Sequence, residues 1–426
     1  MLGHLVSSGP LVALCALLLV GDLGWSLRER SVQELFKMRL LDFSRDATLL
    51  NFLIGAMPAM IAVGLGPPVG AWSDRTRCRF GRRIPFIFGT AMVATAGMLG
   101  MAFSTGLAML AISWTLFEIA TIVGNPLFLA LINDTVPRPV LGRFFALFRI
   151  VSLGTGAAFF ALFFRNDATA VFQPLLTMIA VVYLGCMLLV CWRVREPAHA
   201  AAAHAGAWQS GGTHGMRRWW RLFAAVAVGA VAVLPININA LNACARFGAD
   251  AGDFGRAIAL TYAISALLAW PMGWLADRFH PLRVGTAVLA AYAVCMLVAW
   301  QLVAGRSSFL AALVVHGVLA GCFLTGTVSL LPAVLPRAHF SQLAALSASV
   351  TAMLVVVSTV GLGALLDATG RDYRLLYPAG ALAAGCGVLL WRGLVQGCLV
   401  EGGLAAGGPG AAAGPMPPPG FGPVAD

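Results

Sequence analysis

The chain has 426 residues, of which 60% are hydrophobic and 11% are charged, and its mean hydropathy is +0.87. A soluble domain carries about twice that share of charged residues, so the composition indicates an integral membrane protein. The net charge of +11 would suit a nucleic-acid-binding protein, but the arginines lie in short gaps between apolar runs and not along one exposed face. No nucleic-acid partner is therefore expected.

Twelve apolar runs are long enough to cross a bilayer as helices, which takes about 20 residues because lipid offers no partners to backbone amides. The predicted spans are 8–30, 47–72, 84–105, 107–133, 143–164, 171–193, 219–244, 254–276, 283–303, 308–335, 341–366 and 375–400. The first run is read as a retained span, since no basic segment precedes it and no clear cleavage site follows it. The sequence thus predicts an all-α membrane protein with twelve transmembrane helices.

The runs fall into two sets of six. Residues 196–218 are rich in Ala, Gly and His without a periodic apolar face, which is typical of a flexible cytoplasmic linker. The linker separates a predicted N-terminal bundle at 1–195 from a C-terminal bundle at 219–400. Residues 401–426 are mostly Gly, Pro and Ala and are predicted to be a disordered tail. The nine cysteines have no paired spacing on the outer side, so neither disulfides nor a metal site is predicted.

The arginines also predict the orientation, because basic residues accumulate on the cytoplasmic side. With both termini inside, the inner segments hold sixteen basic residues and the outer segments hold eleven. Five of those eleven are in the first outer loop, beside Glu29, Glu34, Asp42 and Asp46. We therefore expect a multi-pass protein of the cell membrane with both termini in the cytoplasm.

Two motifs recur in the second half. GAWSDR at 70–75 returns as GWLADR at 273–278, and LINDTVPRPVLGRFFAL at 131–147 returns as LLPAVLPRAHFSQLAAL at 330–346. The offsets are 203 and 199 residues, and both pairs fall in equivalent inner loops. This similarity predicts a tandem duplication of a six-helix unit, with the two bundles related by a pseudo-two-fold axis and a cavity between them.

The loop between predicted helices 2 and 3 reads WSDRTRCRFGRRIPF at 72–86. Its G-x-x-x-D-R start, basic run and G-R-R-x-P end resemble the signature of the major facilitator superfamily, and the resemblance extends over residues 1–400. Within that superfamily the loop is most similar to the sucrose transporters and the glycoside-pentoside-hexuronide cation symporters. The resemblance implies the major facilitator fold and transport by alternating access.

The resemblance further implies that this loop locks the inner gate. The gating residues it assigns are Gly70, Asp74, Arg75, Gly81 and Arg82, with Asp277 and Arg278 at the repeated position. Gly70 would allow helices 2 and 11 to approach closely, and Asp74 would accept hydrogen bonds at a helix terminus or pair with the loop arginines. Arg77 and Arg79 are interpreted as charges that only set the topology.

Three charged residues stand inside predicted spans: Asp22, Glu118 and Arg149. A charge within the membrane costs about 3 kcal/mol or more, so it is retained mainly where it has a function. Arg149 either reaches Glu118 or pairs with Asp134 at the inner mouth. The melibiose-type symporters hold a galactoside with acids on helices 1 and 4 and an arginine on helix 5, so the resemblance implies a sugar site here. Trp25, one turn from Asp22, either stacks on the sugar or anchors the helix at the interface.

Helix 7 contains PININALN at 235–242, which places Asn237, Asn239 and Asn242 inside the membrane. Asparagine is a poor residue for a lipid-facing surface, so at least two of the three are expected to face the cavity. His316 on helix 10 is a weaker candidate, with helix packing as the alternative.

The residues also bear on coupling. Sodium-coupled relatives use acidic residues on helix 2, but this chain has no Asp or Glu between Asp46 and Asp74. A proton needs only one buried carboxyl, which Asp22 or Glu118 supplies, so proton symport is predicted over sodium symport and uniport stays open.

Two rival functions remain at this level: a polyspecific exporter, and a non-transporting assembly factor similar to the bacteriochlorophyll-delivery group. The intramembrane acids, arginine and asparagines favour transport of a small-molecule solute. The sequence has no nucleophile elbow, phosphate loop or metal-ligand spacing, so it does not predict an enzyme, a cofactor or a metal. We expect a monomer whose partners are the solute, a proton and membrane lipid.

Overall fold

The computed structural model describes residues 9–75, 81, 83–164, 172–196, 212–335 and 340–400. Twelve of its helices are long and apolar enough to cross a membrane. Their number agrees with the twelve predicted spans, and most of their ends agree within a few residues. The prediction of an all-α, multi-pass membrane protein is therefore confirmed.

Each half of the chain supplies six of these helices. In the first half they are α1 (Gly9–Phe43), α2 (Ala47–Asn51, a π-helical turn at Phe52–Ala56, and Met57–Arg75), α3 (Ile84–Ala102), α4 (Leu107–Thr135), α5 (Arg138–Leu162) and α6 (Phe172–Arg193). In the second half they are α7 (Gly212–Ala232, continued as Leu234–Cys244), α8 (Ala251–Phe279), α9 (Pro281–Leu302), α10 (Arg306–Thr327), α11 (Phe340–Ala368) and α12 (Leu376–Val400). Shorter pieces are a helix at Leu330–Val334 and 3₁₀ turns at Ala245–Phe247 and Tyr373–Leu375.

The predicted linker and tail fall largely outside the described residues. The linker prediction covers 196–218, whereas α7 already begins at Gly212, so the end of that segment is helical. The tail prediction, 401–426, lies entirely outside the described part of the chain.

Helix α1 differs most from the prediction, which ended the span at residue 30 and placed a charged loop after it. The helix instead continues to Phe43 and has 35 residues. At 1.5 Å per residue it is about 52 Å long, well beyond the hydrocarbon thickness of about 30 Å. Arg28 is 2% exposed and Lys37 is 1% exposed. The predicted boundary is wrong because hydropathy treats each charge as a solvated side chain, whereas these two are covered by other helices.

The helices of each half pack mainly on one another. In the N-terminal bundle α1 packs on α5 and α6, and α3 packs on α4 and α6; in the C-terminal bundle α9 packs on α10 and α12, and α7 packs on α11 and α12. Two main interfaces join the bundles, one between α2 and α11 and the other between α5 and α8. Their equivalence by helix number agrees with a duplicated six-helix unit.

Both interfaces are tight at the end that carries the α1–α2 and α7–α8 connections, which we call the closed end. There the Asp367 carboxylate accepts hydrogen bonds from the backbone N–H groups of Ala47 and Thr48, at 3.0 and 2.8 Å. At the other interface Gly255 lies so near α5 that a Cβ atom on it would be 2.5 Å from the Phe164 carbonyl oxygen. The contact requires glycine, because close helix approach needs small residues.

Candidate functional site

Asp22 is the most enclosed acid of α1. Its side chain is fully buried, and Oδ1 accepts a 2.9 Å hydrogen bond from Ser26 Oγ. The second oxygen, Oδ2, has no hydrogen-bond partner within the described ranges. A buried polar atom without a partner costs free energy, which a proton or a hydroxyl group of a ligand would relieve.

Glu118 on α4 is half-buried and interacts electrostatically with Arg28 and Glu29 of α1. Arg28 donates from Nη2 to Asn125 Oδ1 at 2.7 Å, and its guanidinium lies 5.1 Å from the ring centre of Tyr183. The arginine that faces Glu118 is therefore Arg28, which the sequence analysis did not select.

Arg149 occupies a different place from the one expected. Its electrostatic neighbours are Arg30 and Glu29 of α1 and Tyr262 of α8. Arg30 donates from Nη2 to Ser152 Oγ at 3.2 Å, and its guanidinium lies 5.3 Å from the ring centre of Tyr262. Charged groups of α1 and α5 thus meet a tyrosine from the other bundle.

Glu29 connects these groups, because its charge acts on Asp22, Glu118, Arg149 and Tyr262 alike. Its side chain is exposed, so a ligand between the bundles can reach it. We call the following set the polar cluster: Asp22, Arg28, Glu29, Arg30, Glu118, Arg149 and Tyr262. Glu29 was expected in the first outer loop and not at the site, because the predicted first span ended at residue 30. Its spacing of seven residues from Asp22, two helical turns, is the signal that could have revealed it.

Trp25 is buried, with 6% exposure, and packs edge-on against Phe128 at 4.9 Å and Phe148 at 5.6 Å between ring centres. These contacts place Trp25 inside the N-terminal bundle, between α4 and α5. Its indole Nε1 has no hydrogen-bond partner in the described part of the chain.

The three asparagines of α7 have three different surroundings. Asn239 is fully buried and exchanges hydrogen bonds with Asn51 of α2, at 3.0 and 3.2 Å. Asn242 is half-buried and interacts with Tyr373 near the start of α12. Asn237 is exposed. In this conformation Asn239 has no free amide group for a solute, whereas Asn237 does.

Asn237 lies at the centre of a longer chain of contacts. Its Oδ1 lies 2.9 Å from His316 Nε2, and the other ring nitrogen of His316 lies 2.8 Å from Tyr292 Oη. Its backbone carbonyl accepts a 2.8 Å hydrogen bond from Lys37 Nζ, which also contacts Glu34 Oε1 at 2.7 Å. One residue of α7 therefore touches both α1 and α10.

The end of the predicted gating loop is held by two acids, Asp134 of α4 and Glu196 just after α6. Gly81 has φ +109°, a conformation that favours glycine. Beside it, Glu196 Oε1 accepts hydrogen bonds from the backbone N–H groups of Arg83 and the next residue, both at 2.7 Å. Arg83 Nε donates to Asp134 Oδ2 at 2.7 Å. Asp134, the alternative partner predicted for the helix-5 arginine, thus forms an ion pair with the loop.

The other predicted gating residues are described only in part. Gly70, Asp74 and Arg75 belong to α2, but the surroundings of Gly70 and the side chains of Asp74 and Arg75 lie outside the described part of the structure, as does the whole of Arg82. Asp277 and Arg278 are exposed at the end of α8, where the Arg278 guanidinium lies 5.3 Å from the ring centre of Trp274. Both α2 and α8 run away from the closed end, so positions 74 and 277 share the opposite end, as the repeat predicts.

The fold and the charged groups enclosed between two six-helix bundles define a polytopic membrane transporter. Residues 38–298 match the family model of the Major Facilitator Superfamily, which is more than half of the chain. The chain belongs to this superfamily, a family of transporters and not of enzymes.

Solved structures of transporters share the fold. They include a bacterial homologue of the human lysosomal transporter Spinster in an inward-facing, occupied conformation (12% identity, TM-score 0.63, covering 92% of this chain and 96% of that one). They also include a mutant of the nucleoside transporter NupG (11%, 0.68, 91% and 100%) and a D-xylose-proton symporter (13%, 0.64, 89% and 97%). No curated protein shows significant sequence similarity to the chain.

Proposed function

We propose that the chain carries a sugar or glycoside across the cell membrane by alternating access, in symport with protons. The observation that supports this most directly is the buried Asp22 carboxyl, whose Oδ2 atom has no partner among the described residues. It belongs to a polar cluster to which both bundles contribute, as expected of a site that opens to each side in turn.

The chemistry of the polar cluster suits a polyhydroxylated solute. Carboxylates such as Glu29 and Glu118 accept hydrogen bonds from hydroxyl groups, and the Arg149 guanidinium donates to ring and hydroxyl oxygens. The loop resemblance to the sucrose and glycoside-pentoside-hexuronide groups points to the same class. One structural neighbour is a D-xylose-proton symporter, and another is a nucleoside transporter.

Proton coupling follows from the same acids. When the solute binds, a buried carboxyl that also binds a proton becomes neutral. The loaded site then carries no net charge from this group while the bundles reorient, which lowers the free-energy cost of that step. Helix α2 has no acidic residue between Ala47 and Ser73, so it lacks the acids with which sodium-coupled relatives bind their ion.

Orientation and gating complete the proposal. With both termini in the cytoplasm, the closed end faces outside and the described conformation is inward-facing. The loop from Gly70 to Arg82, with Asp277 and Arg278, then acts as the inner gate that forms when the bundles rock to the opposite state. Contacts such as that between Asp367 and the start of α2 break in the same movement.

The decisive experiment measures uptake of radiolabelled D-xylose, melibiose and uridine into proteoliposomes, with and without an imposed pH gradient. We expect sugar uptake that an inwardly directed proton gradient stimulates and a protonophore abolishes. Asp22→Asn should lose accumulation against a gradient, whereas the exposed Asp42→Asn serves as the matched control and should keep it. Uptake of uridine alone would overturn the solute class, and gradient-independent sugar uptake would overturn the coupling.

A further inference from the structure

His316 is buried between two hydrogen-bonding partners in the C-terminal bundle. His316 and Tyr292 are each 1% exposed, so water does not compete for their contacts. One ring nitrogen faces Tyr292 Oη at 2.8 Å and the other faces Asn237 Oδ1 at 2.9 Å. The chain Tyr292–His316–Asn237 therefore runs from α9 through α10 to α7 and ends on an exposed amide.

The partners of the two ring nitrogens indicate which atom of this chain donates. Tyr292 Oη has two acceptors within reach, the Ala232 carbonyl oxygen at 3.4 Å and His316 Nδ1 at 2.8 Å. Asn237 Oδ1 can only accept, so the ring nitrogen facing it is the protonated one, and the Tyr292 hydroxyl donates to the unprotonated Nδ1. The neutral imidazole then carries its proton on Nε2 and donates it to Asn237 Oδ1.

This arrangement leaves the Asn237 NH₂ group free. Its oxygen is occupied by His316, and Nδ2 has no hydrogen-bond partner among the residues that the structure describes. The residue is exposed, and the Lys37 ammonium group of α1 binds its backbone carbonyl, which places Asn237 where the two bundles face each other. Two N–H donors thus point away from a fixed oxygen at this interface.

We propose that His316 and Tyr292 are positioning residues that fix the Asn237 amide with its NH₂ group toward the space between the bundles, where it donates to an oxygen atom of the solute. The inference rests on the proposed function and adds the contact of the C-terminal bundle. The solute presents a hydroxyl, ring or carbonyl oxygen to α7, and Glu29 is the carboxylate of the polar cluster nearest to Lys37 along α1. A solute without an oxygen acceptor on that side does not fit, since it leaves the Asn237 NH₂ group unpaired.

The orientation is tested without any solute by nitrogen NMR of ¹⁵N-histidine-labelled protein in lipid nanodiscs, with His316→Gln used to assign the signal. We expect a neutral ring protonated at Nε2, and a change in its tautomer balance in Tyr292→Phe. Tyr373→Phe removes the hydroxyl of another buried tyrosine of the same bundle, one that interacts with Asn242 and Arg371, and should leave the signal unchanged. A wild-type ring protonated at Nδ1, or a signal indifferent to Tyr292→Phe, would overturn the inference.

Solute recognition is tested by the kinetics of D-xylose uptake. Asn237→Asp removes both donors and should raise KM about tenfold, because a hydrogen bond to the solute is replaced by an acceptor facing an acceptor. Tyr292→Phe should raise KM by a smaller factor with Vmax retained. His316→Gln, whose amide can still donate to Asn237 Oδ1, should bind better than His316→Leu. Unchanged KM values across these variants would overturn the proposal. If instead the wild type showed the expected His316 tautomer but no D-xylose uptake, the result would count against the proposed function.

Discussion

Asn51 of α2 and Asn239 of α7 exchange side-chain hydrogen bonds across the interface between the bundles, at 3.0 and 3.2 Å. Each amide NH₂ group also donates a hydrogen bond to the backbone carbonyl one turn earlier in its own helix, at 2.9 Å for Asn51 and 3.0 Å for Asn239. Both side chains are fully buried. The pair therefore stabilises the closed end only while the bundles touch there, and separation must hydrate both amides or give them new partners.

Asn51→Ala should shift the equilibrium away from closure at this end. The change removes the two hydrogen bonds between the bundles and leaves the buried Asn239 without its partner, a loss of roughly 2 kcal/mol, or more than tenfold in population. Spin labels at the exposed positions Arg45 and Thr369 would report it as a longer distance. Asn133→Ala, at an exposed asparagine, is the control, and identical distance distributions for the two variants would contradict the assignment.

Two glycines of α11 offer a matched pair. A Cβ on Gly363 would lie 2.6 Å from Thr48 Cα and 2.9 Å from the Ala47 carbonyl oxygen, and neither backbone atom can move aside cheaply. A Cβ on Gly361 would have nothing within 4 Å. Gly363→Ala should therefore hold the closed end open and reduce uptake strongly, while Gly361→Ala keeps near-normal uptake. Equal activity of the two variants would show that closure does not need this contact.

Arg149→Gln separates chemistry from topology. It removes a charged donor from the polar cluster, a loss on the order of 1.5 to 3 kcal/mol, so solute binding should weaken by roughly ten- to a hundredfold. Changing both Arg77 and Arg79 to Gln, in the loop segment outside the described residues, should cost little while other basic residues keep that loop inside. Uptake at low solute concentration compares them, and equal losses would refute the distinction.

Asp74→Asn addresses the proposed inner gate. Losing the charge should leave membrane insertion and equilibrium binding nearly intact, because position 74 lies at the far end of α2 from the closed end. Interconversion of the two states should slow, so transport should fall more than binding does. Uptake equal to that of the wild type at matched expression would mean that this loop has no locking role.

His280, between α8 and α9, predicts a pH dependence of stability. It has φ +74°, and its Nδ1 accepts a 3.2 Å hydrogen bond from the Leu282 N–H group. Burial, with Arg283 nearby, lowers the pKa of His280 in the folded protein. The resulting stability is present above the ordinary histidine pKa of about 6.5 and is lost as the pH falls through it.

His280→Asn keeps a polar side chain that can cap the start of α9, but it does not titrate. Between about pH 7.5 and pH 5 the thermal midpoint of the wild type should therefore drop more than that of this variant. Parallel curves would show that the titration of His280 does not affect unfolding.

Most of the fold follows from hydropathy, because every span must be an apolar helix long enough to cross the hydrocarbon core of the bilayer, and this length can be read from the sequence. The failure at α1 has a physical cause. Arg28 is covered by Asn125 and Tyr183, which lie far along the chain. Lys37 is covered by the Asn237 carbonyl of α7, also far along the chain, and by Glu34, which belongs to a charged stretch that resembles a loop. Burial of a charge depends on such tertiary partners, and one helix considered alone does not reveal them.

The candidate site was predictable to a similar degree. The free-energy cost of a charge inside the membrane identifies Asp22, Glu118 and Arg149 as unusual residues, but it does not say which acid faces which arginine. The asparagines of α7 show the same limit. Asn237 and Asn239 have identical side chains, yet Asn237 is exposed and Asn239 is buried in a hydrogen-bonded pair with Asn51. The rotation of α7 about its own axis decides between these roles, and that rotation depends on packing.

The unbroken length of α1 has a mechanical consequence. Asp22 and Lys37 are fifteen residues apart on one continuous helix, about 22 Å at 1.5 Å per residue. If the helix pivots as a rigid lever about Asp22, a tilt of about 5° moves the Lys37 end by about 2 Å, enough to break its hydrogen bond to the Asn237 carbonyl. A tilt that hardly moves Asp22 and its Ser26 partner is thereby amplified along α1 and releases a contact between the two bundles.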